Sequence, residues 1–310
     1  MCGDRNFKAA AKYELHEMGH LSSHQRGLLM TFVGVLFLTP DAQLLRLVDA
    51  DHWTLMFWRS LIAGCCLFAL NGISQKTNPI KAVAELFRNG LFCSLFFAGS
   101  NACFVFSITH TVAANTLVIL AVMPFIAAVL TLLFMATKLA LRTWITIVVA
   151  MAGIVVVFWG RFGQGDIGGN IVGDVVAVFC ALFMAATLVA IARNPKINTL
   201  VAVGVGALLA ALFALAMGAD PRAPSGEDFI YLAINGGIVI PVAMALITHG
   251  PKFISAAEVS LIMLLETVLG PLWVWLVLAE QPGQQTFMGG GLVITAIVVN
   301  SWLGFRASDR

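Results

Sequence analysis

Residues 256–280 read AAEVSLIMLLETVLGPLWVWLVLAE. From Val259 to Ala279 the sole ionisable side chain is Glu266, and an apolar run of about 20 residues is what a helix needs to cross the hydrocarbon core of a bilayer. Residues 113–137, AANTLVILAVMPFIAAVLTLLFMAT, repeat that run. Ala113-Ala114-Asn115 answers Ala256-Ala257-Glu258, and Met123-Pro124 answers Glu266-Thr267. Phe134-Met135-Ala136-Thr137 then answers Val277-Leu278-Ala279-Glu280, and Arg142-Thr143-Trp144 answers Gln285-Thr286-Phe287. The shift from residue 113 to residue 256, a constant 143, superposes all four landmarks without a gap. Two apolar runs resemble each other by composition alone, but here the turn positions match as well. The chain is a duplication.

The same kind of run recurs along the whole sequence. Ten stretches fit a span: 28–48, 54–74, 86–107, 112–136, 142–160, 172–192, 199–217, 229–249, 256–278 and 286–305. Short polar or Gly/Pro breaks separate them, such as Lys76 to Pro79, Gly163 to Gly169 and Asp220 to Asp228. Over 310 residues, 60% are hydrophobic and only 11% charged, with a mean hydropathy of +0.93. Soluble domains carry about a quarter charged residues, so lipid must solvate most of this surface. The net charge of +2 and the absence of a basic patch exclude a nucleic-acid partner.

The duplication and the charge pattern together set the architecture. With the N-terminus in the cytoplasm, fourteen of the 18 Lys and Arg fall in inner segments, and only Arg46, Arg161 and Arg222 fall in outer ones. Arg59 is left inside a span. Both termini are therefore expected on the cytoplasmic side of a cell (inner) membrane, with an even number of crossings. Five spans per half is odd, so the second half enters the bilayer upside down, which is the inverted repeat of many secondary transporters. The expected fold is all-α: a polytopic membrane protein of ten transmembrane helices in two inverted five-helix repeats. The divisions are a cytoplasmic tail at 1–26, a first repeat at 27–162 and a second at 170–305.

Ionisable groups inside spans are costly and are functional candidates by default. Glu266 lies about ten residues from either end of its helix, roughly 15 Å deep at 1.5 Å per residue. It is either a carboxyl that exchanges a proton or a cation, or a neutral acid hydrogen-bonded to a neighbouring helix. Asp41 and Arg59 both fall roughly 8 to 11 Å below the same surface. They are either a fixed ion pair joining two helices or an anion-receiving arginine with its counter-ion. Asn115, near a helix end, and Trp58, beside Arg59, complete the candidate pathway, although an interfacial role explains both as simply. Pro40, Pro124 and Pro241 lie within spans, where proline frees a carbonyl and permits a kink that a gate can use.

Other motifs carry less. Ala202, Gly206, Ala210 and Ala214 form a small-residue stripe at four-residue spacing, fit for close helix approach within the monomer or in a homodimer. The cysteines lack C-x-x-C spacing and read as small hydrophobes. His16-Glu17-Met18-Gly19-His20 matches the zinc-protease pattern, yet it sits in a short polar tail with nothing to build the third ligand and dry cavity that hydrolysis requires. No metal and no cofactor is expected, and no nucleotide-binding G-x-x-x-x-G-K-[ST] loop exists.

Ser255-Ala256-Ala257, Leu264-Leu265-Glu266, Leu276-Val277-Leu278-Ala279-Glu280-Gln281-Pro282 and Gly289-Gly290 resemble the ninth and tenth helices of the EamA type of the drug/metabolite transporter superfamily. Arg59 in Phe57-Trp58-Arg59 matches an arginine common early in the second helix of that family. The resemblance covers about residues 27–305. It implies a carrier of a small organic solute, often an exporter, working by alternating access. Two positions depart: Thr267 stands where many members have proline, and Thr137 stands opposite Glu280 in the first half.

The expected function is secondary transport of a metabolite or drug, proton-coupled or by exchange, with a small-molecule substrate and the lipid bilayer as partners. A membrane-embedded enzyme acting on lipid or peptide would need a nucleophile–base or metal constellation that is not found. A non-transporting membrane partner protein would have a cavity without polar lining. Reporter fusions at the two chain ends are expected to report the same side of the membrane, as an even number of crossings requires.

Overall fold

The computed structural model describes residues 22–75, 83–84, 86–87, 90–111, 113–137, 139–162, 170–278 and 284–308. His16, Glu17 and His20 lie outside them. Among the described residues the fold is all-helical, without strands. The elements are α1 (Ser23–Leu38), α2 (Asp41–Arg46), α3 (His52–Gln75), α4 (Leu91–His110), α5 (Ala113–Leu120), α6 (Met123–Met135), α7 (Leu141–Phe162), α8 (Ile171–Arg193), α9 (Thr199–Ala216), α10 (Gly226–Ile234), α11 (Ile240–Ile247), α12 (Ala256–Leu278) and α13 (Gln284–Ser308). A π-turn, Asn235–Val239, joins α10 to α11.

Helix starts follow local chemistry. Ser22 and Gln25 form a capping box at α1, and Ser225 and Asp228 form another at α10. Asn170 and Asn198 accept from Val172 and Val201 at the starts of α8 and α9. Each cap satisfies orphan N–H groups that the first turn leaves without intrahelical partners. Asp228, at the exposed start of α10, accepts from the Ser225 amide at 3.1 Å, from the Ser225 hydroxyl and from the Asp49 amide at 3.1 Å.

Seven helical segments of the described residues are long and apolar enough to cross a membrane: Ser23–Leu45, His52–Ile73, Leu91–His110, Asn115–Met135, Ile171–Arg193, Thr199–Ala216 and Gly226–Lys252. Two more apolar helices, Leu141–Val156 and Phe287–Leu303, are shorter. Large apolar side chains point outward from many of these helices, Phe92 at 73% exposure and Leu133 at 69% among them. In water such a surface would aggregate; against lipid tails it is at home.

Packing runs mainly between the halves. α3 lies on α9, α7 on α13, α6 on α12, α4 on α8, and α1 on α11. Exchanging first-half spans for their second-half counterparts turns the α4–α8 pair into the α11–α1 pair and maps the other three onto themselves. The contact pattern thus has the pseudo-two-fold character that the 143-residue offset implies.

The small-residue stripe is used inside the chain. Ala202, Ala210 and Ala214 are each at most 1% exposed. Gly206 is pressed so close to α4 that a Cβ there would stand 2.6 Å from the Ser94 carbonyl oxygen. Gly72, near the end of α3, would meet nothing within 4 Å. Gly206→Val is expected to destabilise the purified protein by about 1–3 kcal/mol through overpacking, read as a lowered thermal midpoint. Gly72→Val is expected to change stability by no more than about 0.5 kcal/mol.

Candidate functional site

Three helix interruptions converge between the halves, and each proline named from the sequence sits at one of them. Pro40 caps α2 after the Thr39 turn. Pro124 lies in the first turn of α6, after the Ala121–Val122 break. Pro241 lies in the first turn of α11, directly after the π-turn. Proline has no N–H for the helical ladder and clashes with the preceding turn, so each site loosens its helix. The counterpart spans run unbroken: α8 opposite α1–α2, α12 opposite α5–α6, and α4 opposite the π-turn and α11.

A cavity enclosing about 720 Å³ of empty space, open solvent at its mouth included, lies at the level of these breaks. Leu38 and Asp41 flank the first break, Leu120 and Met123 the second, and Ile240 and Met244 follow the third. Phe97, Ser100, Asn101 and Phe104 come from α4, Cys180 and Met184 from α8, and Met263, Leu264, Glu266 and Thr267 from α12. Arg59 and Leu117 complete the wall. Size and lining, mostly apolar with a few convergent polar groups, are those of a small-molecule site.

The polar groups fall into two sets. The first is a closed network around Arg59, which is 5% exposed, and Asp41, 2% exposed. Arg59 Nη2 donates to Asp41 Oδ2 at 2.7 Å, Nε donates to Asn235 Oδ1 at 3.2 Å, and Nη1 donates to Asn101 Oδ1. Asn235 Nδ2 donates to the other Asp41 oxygen at 2.7 Å, and Asn101 Nδ2 donates to Ser60 Oγ at 2.7 Å. The guanidinium also stands 5.5 Å from the Phe104 ring centroid, within cation–π range. Gly236 makes this possible: a Cβ there would stand 2.8 Å from the Arg59 carbonyl oxygen, so only glycine lets the π-turn bring Asn235 against α3.

The second set is Glu266 alone. Its carboxyl lines the cavity and hydrogen-bonds to no other side chain or backbone group among the described residues. Asp41 and Arg59 are near enough to act on it through space. Cys180, close by, is tied to α4 instead, its thiol donating to the Ser100 carbonyl at 3.3 Å.

The structure therefore brings together Asp41, Arg59, Glu266 and the three proline breaks. Two candidates stand elsewhere. Trp58 points away from Arg59, since successive helical residues turn by about 100°; its Nε1 donates to the Pro221 carbonyl at 3.2 Å and its ring meets Phe229 edge-on. Asn115 reaches Thr111 Oγ1 at 3.5 Å and does not line the cavity. Glu258 is a cap: it accepts from the Ser255 amide and hydroxyl, both at 3.0 Å. Asn101 and Asn235 were not among the sequence candidates. The signal was available, an asparagine inside each of two apolar spans, the second followed by Gly236-Gly237.

Removing one member of a buried pair strands the other charge, at about 3–5 kcal/mol. Arg59→Met is expected to cost about that much, read from thermal denaturation of the purified protein. The double variant Asp41→Leu/Arg59→Met is expected to recover at least half of the loss, because no unpaired charge remains buried.

No curated protein matches the chain. A solved structure described only as "Crystal structure of protein" aligns with a TM-score of 0.74 at 16% identity, over 89% of this chain and 98% of that one; at that identity the likeness is one of fold. The sequence model of the EamA-like transporter family matches twice, over residues 25–159 and 171–302. Together with the membrane-length helices, this makes the protein a multi-pass membrane protein of the transporter type. Both matches fall on the two halves that enclose the cavity, and the chain belongs to the EamA-like transporter family of the drug/metabolite transporter superfamily.

Proposed function

We propose that the protein is a secondary carrier that moves a small organic metabolite or drug across the cell (inner) membrane by alternating access, without enzymatic chemistry. The observation that carries this reading is the cavity itself. It lies between the two halves, at the level of three broken helices, and its wall holds one carboxyl that makes no hydrogen bond to the described residues. Discontinuous helices around a central site are what membrane carriers use to line a polar cavity within the bilayer.

Ten crossings fit the chain if α7, α12 and α13 span along with the seven apolar segments named above, since they hold 22, 23 and 25 residues. The repeats at 27–162 and 170–305 then lie in opposite senses with both ends cytoplasmic, as the basic-residue bias requires. Because packing is chiefly between halves, rocking one half on the other opens the cavity first to one side and then to the other. The breaks at Pro40, Pro124 and Pro241 give the walls room to bend. Glu266 is placed to take up a proton when no solute is bound, which would couple transport to a pH gradient.

The test is uptake of a labelled metabolite library into vesicles containing the purified protein. Accumulation of at least one solute above protein-free vesicles is expected, while accumulation of none overturns the carrier reading. Glu266→Gln is expected to abolish uptake driven by a pH gradient without lowering the amount of protein incorporated. Unchanged gradient-driven uptake in that variant removes proton coupling.

A further inference from the structure

We infer that the solute is a monovalent organic cation with an apolar body, a protonated amine or a quaternary ammonium, held by the Glu266 carboxylate in exchange for a proton. This rests on the carrier reading and names its substrate class. It follows from the charge that remains on the wall once the fixed bonds are assigned.

Among the described residues Arg59 is the sole cationic group lining the cavity, and each of its nitrogens makes one bond. Nε is bound to Asn235, Nη1 to Asn101 and Nη2 to Asp41, with Phe104 beside its plane. Asp41 in turn accepts from Arg59 on one oxygen and from Asn235 on the other. A solute anion at Arg59 would find only the two N–H groups that these three bonds leave over, and it would stand beside the Asp41 carboxylate, which repels it. The pair cancels to zero net charge. What remains is Glu266, whose ionised form gives the wall a net charge of −1. A solute charge of +1 neutralises it, and so does a proton.

The titratable or charged groups facing Glu266 are Asp41 on α2, Arg59 on α3 and Cys180 on α8. The packed neighbours α1 and α6 bring only Leu38 and Met123 to the lining, and no described residue of α13 lines it. The body of the solute meets mainly hydrocarbon and thioether. Met123, Met184, Met244 and Met263 line the cavity, and methionine's flexible, polarisable side chain moulds to irregular apolar shapes. Phe97 adds an aromatic ring that, unlike Phe104, faces no cation among the described residues.

The exchange balances in charge and atoms. The neutral carboxyl O–H breaks, its proton leaves to water, and the carboxylate so formed pairs with the incoming cation; no covalent bond to the solute forms. Binding must therefore release up to one proton per solute and tighten as pH rises.

The test uses the purified full-length protein in lipid nanodiscs, with benzyltrimethylammonium as cation probe and 3-phenylpropionate as anion probe of similar size. Calorimetry and a pH indicator in weak buffer supply the readouts. The cation is expected to bind at least tenfold more tightly at pH 8 than at pH 6 with proton release, while the anion does not bind at either pH. Glu266→Gln is expected to lose the pH dependence and weaken binding at least tenfold, and Glu266→Asp to keep the proton release. Tighter binding of the anion, no binding of the cation, or unaltered pH-dependent cation binding in Glu266→Gln each overturns the inference. If Glu266→Gln does not fold, the wild-type pH series and the anion comparison decide by themselves. The two readings fail separately. Metabolite uptake into vesicles without cation binding refutes the substrate class alone, and cation binding without uptake of any solute refutes the carrier reading alone.

Discussion

A guanidinium and a carboxylate buried at membrane depth dominate the energetics of the cavity wall. Either group alone inside a span costs several kcal/mol, and even as a pair they need their remaining hydrogen-bonding capacity filled before desolvation is offset. Asn235 and Asn101 fill part of it, engaging Arg59 Nε and Nη1 and the second Asp41 oxygen, and Ser60 accepts from Asn101 in turn. The consequence is positional. Asp41 fixes the short α2 after the Pro40 break, Arg59 fixes α3, Asn101 fixes α4, and Asn235 fixes the π-turn. Four segments that meet at the cavity are thereby held in one arrangement, which apolar packing among leucines and alanines would specify less sharply.

The duplication did not preserve symmetry at that wall. The 143-residue offset sets Met123 against Glu266, Phe97 against Ile240 and Asn101 against Met244, and all six line the cavity. Each of these pairs, like Asp41 and Met184, has one member that is charged, polar or aromatic and one that is aliphatic or thioether, whereas Leu120 and Met263 are apolar in both halves. The backbone follows the same rule, because Pro124 breaks the fourth span while Thr267, its counterpart, keeps an N–H and leaves α12 continuous. Two equal halves thus build an unequal site: the fixed ion pair lies on the first half's side and the unengaged carboxyl on the second's.

Much of this was legible in the residues. The spans follow from apolar runs of bilayer length, the duplication from matching turn positions, and the Asp41–Arg59 pair from two opposite charges at one computed depth. The sequence also proposed three kinks, and all three prolines stand at helix interruptions. What could not be read was lateral placement. Depth along a helix is fixed by residue count, but the direction of a side chain depends on which neighbour its helix packs against, so Trp58 and Asn115 fall away from the cavity. Asn101 and Asn235 were hidden for a related reason. An asparagine declares its role only when its partner is brought to it, and Arg59 lies 42 residues from Asn101 and 176 from Asn235 in sequence.

The network also constrains how the halves can move. Asn235 is its sole member from the second half, and it bonds both Asp41 and Arg59. Sliding α10 and α11 rigidly past the first half would break both bonds and leave two charges underpaired in an apolar setting. Bending between them is less costly, because the ladder there is already loosened: the π-turn runs from Asn235 to Val239, and Pro241 just beyond offers no N–H. A motion that keeps Asn235 docked on Arg59 while α11 swings therefore preserves the ion pair and still displaces Ile240 and Met244, which line the cavity on the far side of the bend. Rigidity at the charges and compliance at the π-turn are two parts of one arrangement, in which the paired Asp41 carboxylate anchors the frame and the Glu266 carboxyl stands outside that network.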